Sequence, residues 1–108
     1  MLMLLEYLTP TGQSPYRRWF DQLDEMAAAR IAASLARLAS GNVSQMKGLG
    51  SGVSELKIDF GPGYRVYFGR NGETLVILLG GGTKKRQSND IASAKERWAD
   101  YKRRKRES

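Results

Sequence analysis

The sequence predicts an α+β domain with the element order β-α-α-β-β-β-α, in which the helices are segregated from an antiparallel sheet. Two stretches with helical apolar spacing lie between an apolar N-terminal segment and residue 41. Two alternating segments then flank Asn71-Gly72, the strongest short signal for a β-hairpin. A third helical pattern follows the last strand. Runs of helices and of hairpin-forming strands that do not alternate along the chain are typical of α+β domains.

The N-terminal third predicts one strand and two helices. Residues 2–8 alternate loosely and should form a strand that ends at Thr9-Pro10. Ser14 is suited to cap the first helix, with Pro15 at its first position, where a missing N–H costs nothing. The second helix should end at Gly41. The apolar stripes of the two helices are Tyr16, Trp19, Phe20 and Leu23, and Ile31, Leu35 and Leu38. We expect the helices to form a hairpin on one face of the sheet.

The following region predicts a loop and three strands. Residues 42–52 are rich in Gly, Ser and Asn, which indicates a loop. A two-residue turn at Asn71-Gly72 would pair Arg70 with Glu73, Phe68 with Leu75, Val66 with Ile77 and Tyr64 with Leu79. Side chains alternate along strands, so this register assigns one face to the core beneath the helices. The predicted core face carries Leu56, Ile58, Phe60, Tyr64, Val66, Phe68, Leu75, Ile77 and Leu79; the opposite face carries Glu55, Lys57, Asp59, Arg65, Tyr67, Val76 and Leu78.

The C-terminal region predicts a helix from about Asp90 to Tyr101. Ile91, Ala94 and Trp98 share one side of it and can cover the apolar part of the second sheet face. The tail 102–108 is too charged to bury and should be a solvated, partly frayed end. We expect residues 1–108 to form a single domain, because the chain is short and carries no internal repeat or linker.

Composition narrows the chemistry. The chain has no cysteine and no histidine, which excludes disulfides, thiol nucleophiles, zinc–thiolate sites and imidazole acid–base schemes. Any catalysis must rest on Lys, Arg, Tyr, Ser/Thr or carboxylates, and neither a metal nor another cofactor is expected. The opening apolar stretch is short and interrupted by Glu6, without a basic leader or small-residue cleavage site. We therefore expect a cytoplasmic protein without membrane contacts.

The positive charge is unevenly distributed. The formal net charge is +7. Residues 1–50 contain five basic and four acidic residues, whereas residues 51–108 contain thirteen and seven, so the second half supplies nearly all of the excess. A basic half beside a nearly neutral half favours a polyanionic partner on one side of the molecule. The alternative is that the charge serves only solubility.

One group of residues could form an RNA-binding surface. Lys57 and Arg65 should project from neighbouring strands onto one face. Lys84, Lys85 and Arg86 follow the last strand and should converge on the same end of the domain. Tyr67 could stack on an unpaired base. The tail, with Lys102, Arg103 and Arg104, would add non-specific affinity for RNA.

The same residues could cleave RNA without histidine. Attack by the ribose 2′-OH needs a proton acceptor, stabilisation of the phosphorane and a donor to the leaving oxygen. Either Lys57 or Glu55 could be the base, and Arg65 could bind the non-bridging oxygens. A second Lys or Arg from residues 84–86 could neutralise the leaving group or protonate it. Alternating polar residues on a half-exposed sheet are also ordinary, so plain nucleic-acid binding stays open. The stretch "GGGTKK" lacks P-loop spacing, which argues against nucleotide hydrolysis.

The stretches "GVSELKIDFGPGYRVYF" and "LVILLGGGTKKRQSNDIASAKERW" resemble the RelE/ParE toxin superfamily, and most closely its HigB-like branch of addiction module killer proteins. "SPYRRWFDQL" and "RLASGN" fit that branch, so the resemblance covers nearly the whole chain. It implies a RelE-like fold with a two-helix N-terminal hairpin and a type II toxin that cuts mRNA in the ribosomal A site. It also implies a cognate helix-turn-helix antitoxin, through which the pair would bind operator DNA.

Carried over by motif, the resemblance implies catalytic roles for Lys57, Arg65 and either Lys84 or Arg86, and Gln87 fits the branch pattern. Three features differ from characterised relatives. Glu55 replaces a second strand lysine, no tyrosine follows the basic cluster, and the histidines of known HigB sites are absent. Two alternatives therefore stand beside the endoribonuclease: a ParE-like, non-enzymatic gyrase poison, and a non-toxic basic binding module.

Overall fold

The computed structural model describes residues 1–108, which form a five-stranded sheet with helices on both faces. The elements are β1 (Met3–Glu6), α1 (Pro15–Phe20), α2 (Glu25–Ala39), β2 (Met46–Gly50), β3 (Val53–Ile58), β4 (Tyr64–Asn71), β5 (Leu75–Thr83), a 3₁₀ turn (Lys84–Arg86) and α3 (Gln87–Glu107). The strand order is β1-β5-β4-β3-β2. β1 runs parallel to β5, and the other pairs are antiparallel. The predicted α+β class is confirmed.

The N-terminal helices begin and end at the expected signals. The Ser14 hydroxyl accepts a hydrogen bond from the Arg17 amide, and Pro15 occupies the first turn. The Asp24 carboxylate likewise accepts from the Ala27 amide at the start of α2. Gly41, with φ of +104°, follows the end of α2, as a left-handed glycine commonly does. α1 packs on β5 and α2 on β3, on the same face of the sheet; their pairing as a hairpin stays a prediction.

The predicted loop at 42–52 is wrong, because Met46–Gly50 forms the edge strand β2. Met46 pairs with Leu56 and Lys47 with Glu55 on β3. The connection to β3 is a tight turn in which Gly50, Ser51 and Gly52 all have positive φ. Its glycines masked the alternation of Met46 and Leu49, which pack against opposite faces of the sheet.

The hairpin lies where Asn71-Gly72 predicts it, but the predicted register is wrong. Three residues rather than two connect the strands, so Asn71 pairs with Leu75 and Phe68 with Leu78. This shifts the pairing by three positions, and an odd shift moves every side chain of β5 to the other face. Val76 and Leu78 therefore pack beneath α1 and α2, while Leu75, Ile77 and Leu79 face α3. A bulge at Leu79 then resets the alternation, because Tyr67 pairs with Gly80.

The sheet separates two apolar cores. The larger core joins α1 and α2 to the sheet and contains the predicted Leu56, Ile58, Tyr64, Val66 and Phe68. The smaller core lies under α3 and contains Ala94 and Trp98, as the sequence predicts, with Ile91 at its margin. Both faces of the sheet are thus covered. The polar residues predicted on the second face lie beneath or beside α3.

The C-terminal helix is longer than predicted at both ends. It begins at Gln87 and continues to Glu107, so most of the basic tail is helical. Three contacts hold the tail: Arg104 donates to the Leu8 carbonyl, Arg104 also pairs with Asp100, and the Lys102 ammonium lies 5.7 Å from the centre of the Trp98 ring. Cations in the last turn also interact favourably with the helix dipole. No helix of this chain is both long and apolar enough to span a bilayer.

Glycines on the sheet make room for Trp98. A Cβ atom added at Gly69 would lie 2.6 Å from Cζ3 of the indole, and one at Gly52 would lie 2.6 Å from its Nε1. Such distances are too short for real contacts, so α3 can approach the sheet this closely only over glycine. The indole therefore fixes the position of α3 against β4 and the β2–β3 turn.

Candidate functional site

Lys57, Arg65 and Lys84 lie together near the start of β4. Lys57 pairs with Arg65, and Arg65 pairs with Gly82, so these positions share the face toward α3. The Lys84 amide donates to the Gly63 carbonyl at 2.8 Å. A Cβ atom added at Gly63 would lie 3.6 Å from Arg65 Nη1 and 3.6 Å from Lys84 Cβ. The fold thus brings together three of the four predicted catalytic residues.

Arg65 is held in a buried polar network. Its Nε donates to Glu55 Oε2 at 3.1 Å, and Gln87 Nε2 donates to Glu55 Oε1 at 3.0 Å. Arg65 is 6% exposed and Glu55 is 4% exposed. The guanidinium also makes a 3.4 Å contact from Nη1 to the Tyr64 carbonyl, whereas its Nη2 has no partner in the protein. Gln87, predicted to bind RNA, lies at the start of α3 and holds this network in place.

The accessible charge of the site comes from lysines. Lys57, Lys84 and Lys85 are exposed, and none of them forms an ion pair. The Arg65 charge is balanced by Glu55, so it adds little to the local potential. We refer to Lys57, Arg65 and Lys84, with the Glu55 and Gln87 side chains that hold Arg65, as the lysine–arginine site.

Tyr67 lies where a base cannot reach it in this conformation. It is 1% exposed and packs in the core under α3 with Ala94 and Trp98. Its hydroxyl is buried without a hydrogen-bond partner. Burial, with the nearby charges of Asp90 and Glu55, raises the pKa of Tyr67 to about 12. The phenol therefore stays protonated at neutral pH and has no ring face open for stacking.

Arg86 and the tail cations do not contact the lysine–arginine site. Arg86 lies in a cleft of about 470 Å³ with Arg18 and Arg97, between α1 and α3. Arg103 and Arg104 both bond to Asp100, which neutralises part of the tail charge. Residues 84–86 were predicted to converge with Lys57 and Arg65. Lys84 does so, whereas Arg86 lies in the cleft.

Lys47 is a cation near the site that the sequence interpretation missed. It pairs with Glu55 across β2 and β3, so its side chain shares the face of Glu55 and Lys57. The Lys57 amide donates to the Gln45 carbonyl at 3.1 Å, which continues this pairing. The assignment of 42–52 to a loop hid Lys47. The flanking Met46 and Leu49 are the signal that could have identified a strand there.

Asp90 lies between the lysine–arginine site and the cleft that contains Arg86. It lies over Gly82, where an added Cβ atom would be 2.9 Å from the Asp90 Cγ. Its Oδ2 is buried without a hydrogen-bond partner. Burial raises the pKa of the carboxyl above its ordinary value, although the charges of Arg86 and Arg97 act in the opposite direction. No group of three or more acidic, His or Cys side chains is placed to hold a metal ion.

We expect Asp90→Asn to stabilise the protein progressively as pH rises. The folded state holds the Asp90 proton more tightly than the unfolded chain does, because the folded-state pKa is raised above 3.8. The wild type therefore loses stability as pH rises from 3.8 through the folded-state pKa, and the asparagine variant does not. Urea midpoints measured across this range check the prediction. Asp59→Asn, at an exposed position, is the control, and equal pH dependence in both variants would contradict the prediction.

Comparison with known proteins assigns the chain to a family. Residues 18–99 match the family described as phage-derived protein Gp49-like (DUF891). The chain belongs to the Gp49-like family. It is a toxin-like family of addiction modules. The matched segment runs from α1 into α3 and includes every residue of the lysine–arginine site and the three arginines of the cleft.

The chain is also similar to a bacterial protein over most of its length. The chain is 45% identical over 78 residues to an uncharacterized protein of Haemophilus influenzae (strain ATCC 51907 / DSM 11121 / KW20 / Rd). The alignment covers 71% of this chain and 79% of the relative. The alignment therefore extends over most of both chains.

Proposed function

We propose that this Gp49-like protein is the toxin of a type II toxin–antitoxin system and cleaves mRNA on the ribosome. The lysine–arginine site is the observation that supports this function best. Two exposed lysines flank a guanidinium that Glu55 and Gln87 hold in one orientation. The free Nη2 of Arg65 is a donor for a non-bridging phosphate oxygen. Such an arrangement suits a phosphodiester whose charge increases in the transition state.

The contacts of Glu55 favour Lys57 as the base. Both Glu55 oxygens accept hydrogen bonds, one from Arg65 and one from Gln87. Its carboxylate is buried, whereas the Lys57 side chain is exposed on the same face. Lys57 can therefore reach a ribose 2′-OH without any rearrangement of the network. Lys84, on the opposite side of Arg65, would then protonate the leaving 5′-oxygen.

Lys57→Gln is expected to lower mRNA cleavage by about 100-fold or more, since it removes a proton-transfer group. Purified protein is added to a translating extract, and the new mRNA ends are mapped by primer extension. Wild-type protein should give cuts phased with codons. Arg30→Gln is the charge-matched control, because Arg30 is exposed on α2 and lies over Phe60 on the other face. Equal cutting by both variants would remove Lys57 from the mechanism.

A ParE-like gyrase poison is the second candidate, favoured by the burial of Arg65, which a non-enzymatic inhibitor would not need to expose. Intact mRNA together with accumulating gyrase–DNA breaks would establish this alternative. Growth arrest on expression would exclude a non-toxic binding module. In either toxic case we expect a cytoplasmic complex with a helix-turn-helix antitoxin, encoded in the neighbouring reading frame, through which the pair binds operator DNA.

A further inference from the structure

The cleft that contains Arg86 borders an open segment of the sheet edge. β1 pairs with β5 only at residues 75–78, so residues 79–83 have no strand neighbour on that side. α1 and α3 form the two walls, and Gly81 lies between them with the Trp19 ring against it. The volume is about 470 Å³. Side chains that donate hydrogen bonds or offer aromatic surface dominate the lining: Arg18, Arg86, Arg97, Gln13, Gln22 and Trp19.

None of the three arginines of this cleft forms an ion pair with a carboxylate of the protein. None of the ion pairs of the chain includes Arg18, Arg86 or Arg97. Arg97 is partly buried, and its only hydrogen bond is from Nη1 to the Leu79 carbonyl at 2.9 Å. Burial lowers its pKa, although the charges of Asp90 and Glu96 act in the opposite direction. Asp90 is the only carboxylate of the lining, and it does not bond to any of the three.

A partly buried guanidinium that forms no ion pair is unusual, because buried charges are generally paired. Arg97 could extend into solvent, but it is held against Gly80, where an added Cβ atom would lie 2.6 Å from its Nη1. Glycine at this position therefore allows the guanidinium to lie flat on β5. Arg18 comes from α1 and Arg86 from the turn before α3, so three separate elements direct donors into one space. This arrangement indicates a site for an anion.

We propose that the cleft binds a phosphate group of single-stranded RNA, as a second subsite separate from the lysine–arginine site. Guanidinium groups bind phosphate oxygens in bidentate fashion, and the amides of Gln13 and Gln22 supply further donors. Trp19 is the one hydrophobic residue of the lining. A peptide strand added to the open edge would need pockets for alternate side chains, and the polar walls provide none. The inference rests on the proposed function only in naming RNA as the source of the phosphate.

The position of the cleft suits a continuous RNA path. Lys84 belongs to the lysine–arginine site and Arg86 to the cleft, and they lie at the two ends of a single 3₁₀ turn. The exposed Lys85 lies between them. A strand whose scissile phosphate lies at Arg65 would therefore place a neighbouring phosphate at Arg86 and Arg18. This assigns Arg86 to RNA binding rather than to the chemical step.

The test measures binding without cleavage. A short fluorescein-labelled single-stranded RNA is titrated with Lys57→Gln protein, and fluorescence anisotropy is recorded at several salt concentrations. Adding Arg18→Gln or Arg97→Gln should weaken binding about tenfold, as expected when a charge-assisted hydrogen bond is removed. The slope of log K against log salt should fall by about 0.7 for each phosphate that the variant no longer neutralises. Arg30→Gln removes one charge from α2, outside the lining of the cleft, and should change the affinity by less than about twofold.

Equal affinities of the Arg18→Gln, Arg97→Gln and Arg30→Gln proteins for RNA would overturn the proposal. Arg18 is exposed and holds no structural contact, so its variant decides the question if Arg97→Gln lowers the melting temperature. Two competitors identify the source of the anion. Displacement of the RNA by a nucleoside monophosphate would support the phosphate site and assign it to free nucleotides. A glutamate-rich peptide is the second probe. If Arg18→Gln weakens binding of this peptide but does not change binding of the RNA, the proposal is overturned in favour of an acidic protein segment.

The two proposals can fail separately. If the wild type does not cut mRNA but Arg18→Gln still weakens RNA binding relative to Arg30→Gln, the cleft stands as an RNA site and the endoribonuclease proposal falls. If the wild type cuts mRNA and Arg18→Gln changes neither cutting nor binding, the cleft proposal falls alone.

Discussion

Arg65→Ala is expected to lower the free energy of unfolding by about 3–5 kcal/mol, because it leaves the buried Glu55 carboxylate without its cation. The Arg65 Nε–Glu55 Oε2 distance is 3.1 Å, and both side chains are almost completely enclosed. The Gln87 amide, at 3.0 Å, would be the only remaining partner of the carboxylate. Urea unfolding followed by tryptophan fluorescence measures the decrease in stability.

Arg70→Ala is the matched control on the same strand. Arg70 is exposed, and its one hydrogen bond is to the Glu73 carbonyl, so we expect a change below about 1 kcal/mol. Glu55→Leu combined with Arg65→Leu should recover much of the stability, because apolar pairs often replace buried ion pairs at little cost. If Arg65→Ala unfolds at the same urea concentration as Arg70→Ala, the buried pair does not stabilise this fold.

This expected instability decides how the activity of the site should be tested. A loss of toxicity in Arg65→Ala would follow from unfolding alone, whatever the role of the guanidinium. Lys57 and Lys84 are exposed, and their side chains make no ion pair, so their variants separate chemistry from folding. Arg65→Lys is informative only once its stability has been measured, since lysine cannot reproduce the guanidinium geometry.

The sequence predicted the elements of this fold better than their pairing. Ser14-Pro15, Gly41 and Asn71-Gly72 are local signals, and each marks the boundary it predicts. The hairpin register depends on a choice between two and three loop residues, and both faces of β5 are apolar. Alternation alone therefore could not distinguish Val76 and Leu78 from Ile77 and Leu79 as partners of the larger core. Because α3 covers the second face of the sheet, both faces of β5 are buried, and its sequence does not alternate between apolar and polar residues.

The candidate site was predictable only in part for a similar reason. Lys57 and Arg65 share a face because they are paired across neighbouring strands, which strand alternation and the order of the chain indicate. The network that holds Arg65 also includes Gln87, which lies 22 positions further along the chain and begins a helix that was predicted to start at Asp90. The cleft depends on residues of α1, β5 and α3, whose meeting no local pattern reveals.

Glu55 has a structural role in the lysine–arginine site. A lysine at this position would face Arg65 in a buried space, and two cations there would repel each other. Glutamate instead pairs with Arg65 and fixes its guanidinium. Lys47, across from Glu55 on β2, supplies a cation on the same face.

Trp98→Ala is expected to lower the free energy of unfolding by about 3–5 kcal/mol, the usual cost of removing a large buried aromatic side chain. The indole is 4% exposed and is stacked on Tyr101, with ring centres 5.3 Å apart. It fills the space over Gly69 and Gly52. Thermal and urea unfolding measure the change. Met26→Ala, at a position 66% exposed, is the control and should change stability by less than about 0.5 kcal/mol.

The same substitution also tests whether the packing of α3 on the sheet supports the buried Glu55–Arg65 ion pair. Trp98 anchors the helix whose first residue, Gln87, bonds to Glu55. If removal of the indole loosens α3, amide hydrogen exchange should increase along residues 87–98 before it increases in β3 and β4. The less disruptive Trp98→Phe keeps a ring over the two glycines and should give an intermediate decrease in stability. Equal stability of Trp98→Ala and Met26→Ala would show that the contact of α3 with the sheet does not depend on this residue, and would leave Gln87 as the principal support of the buried ion pair.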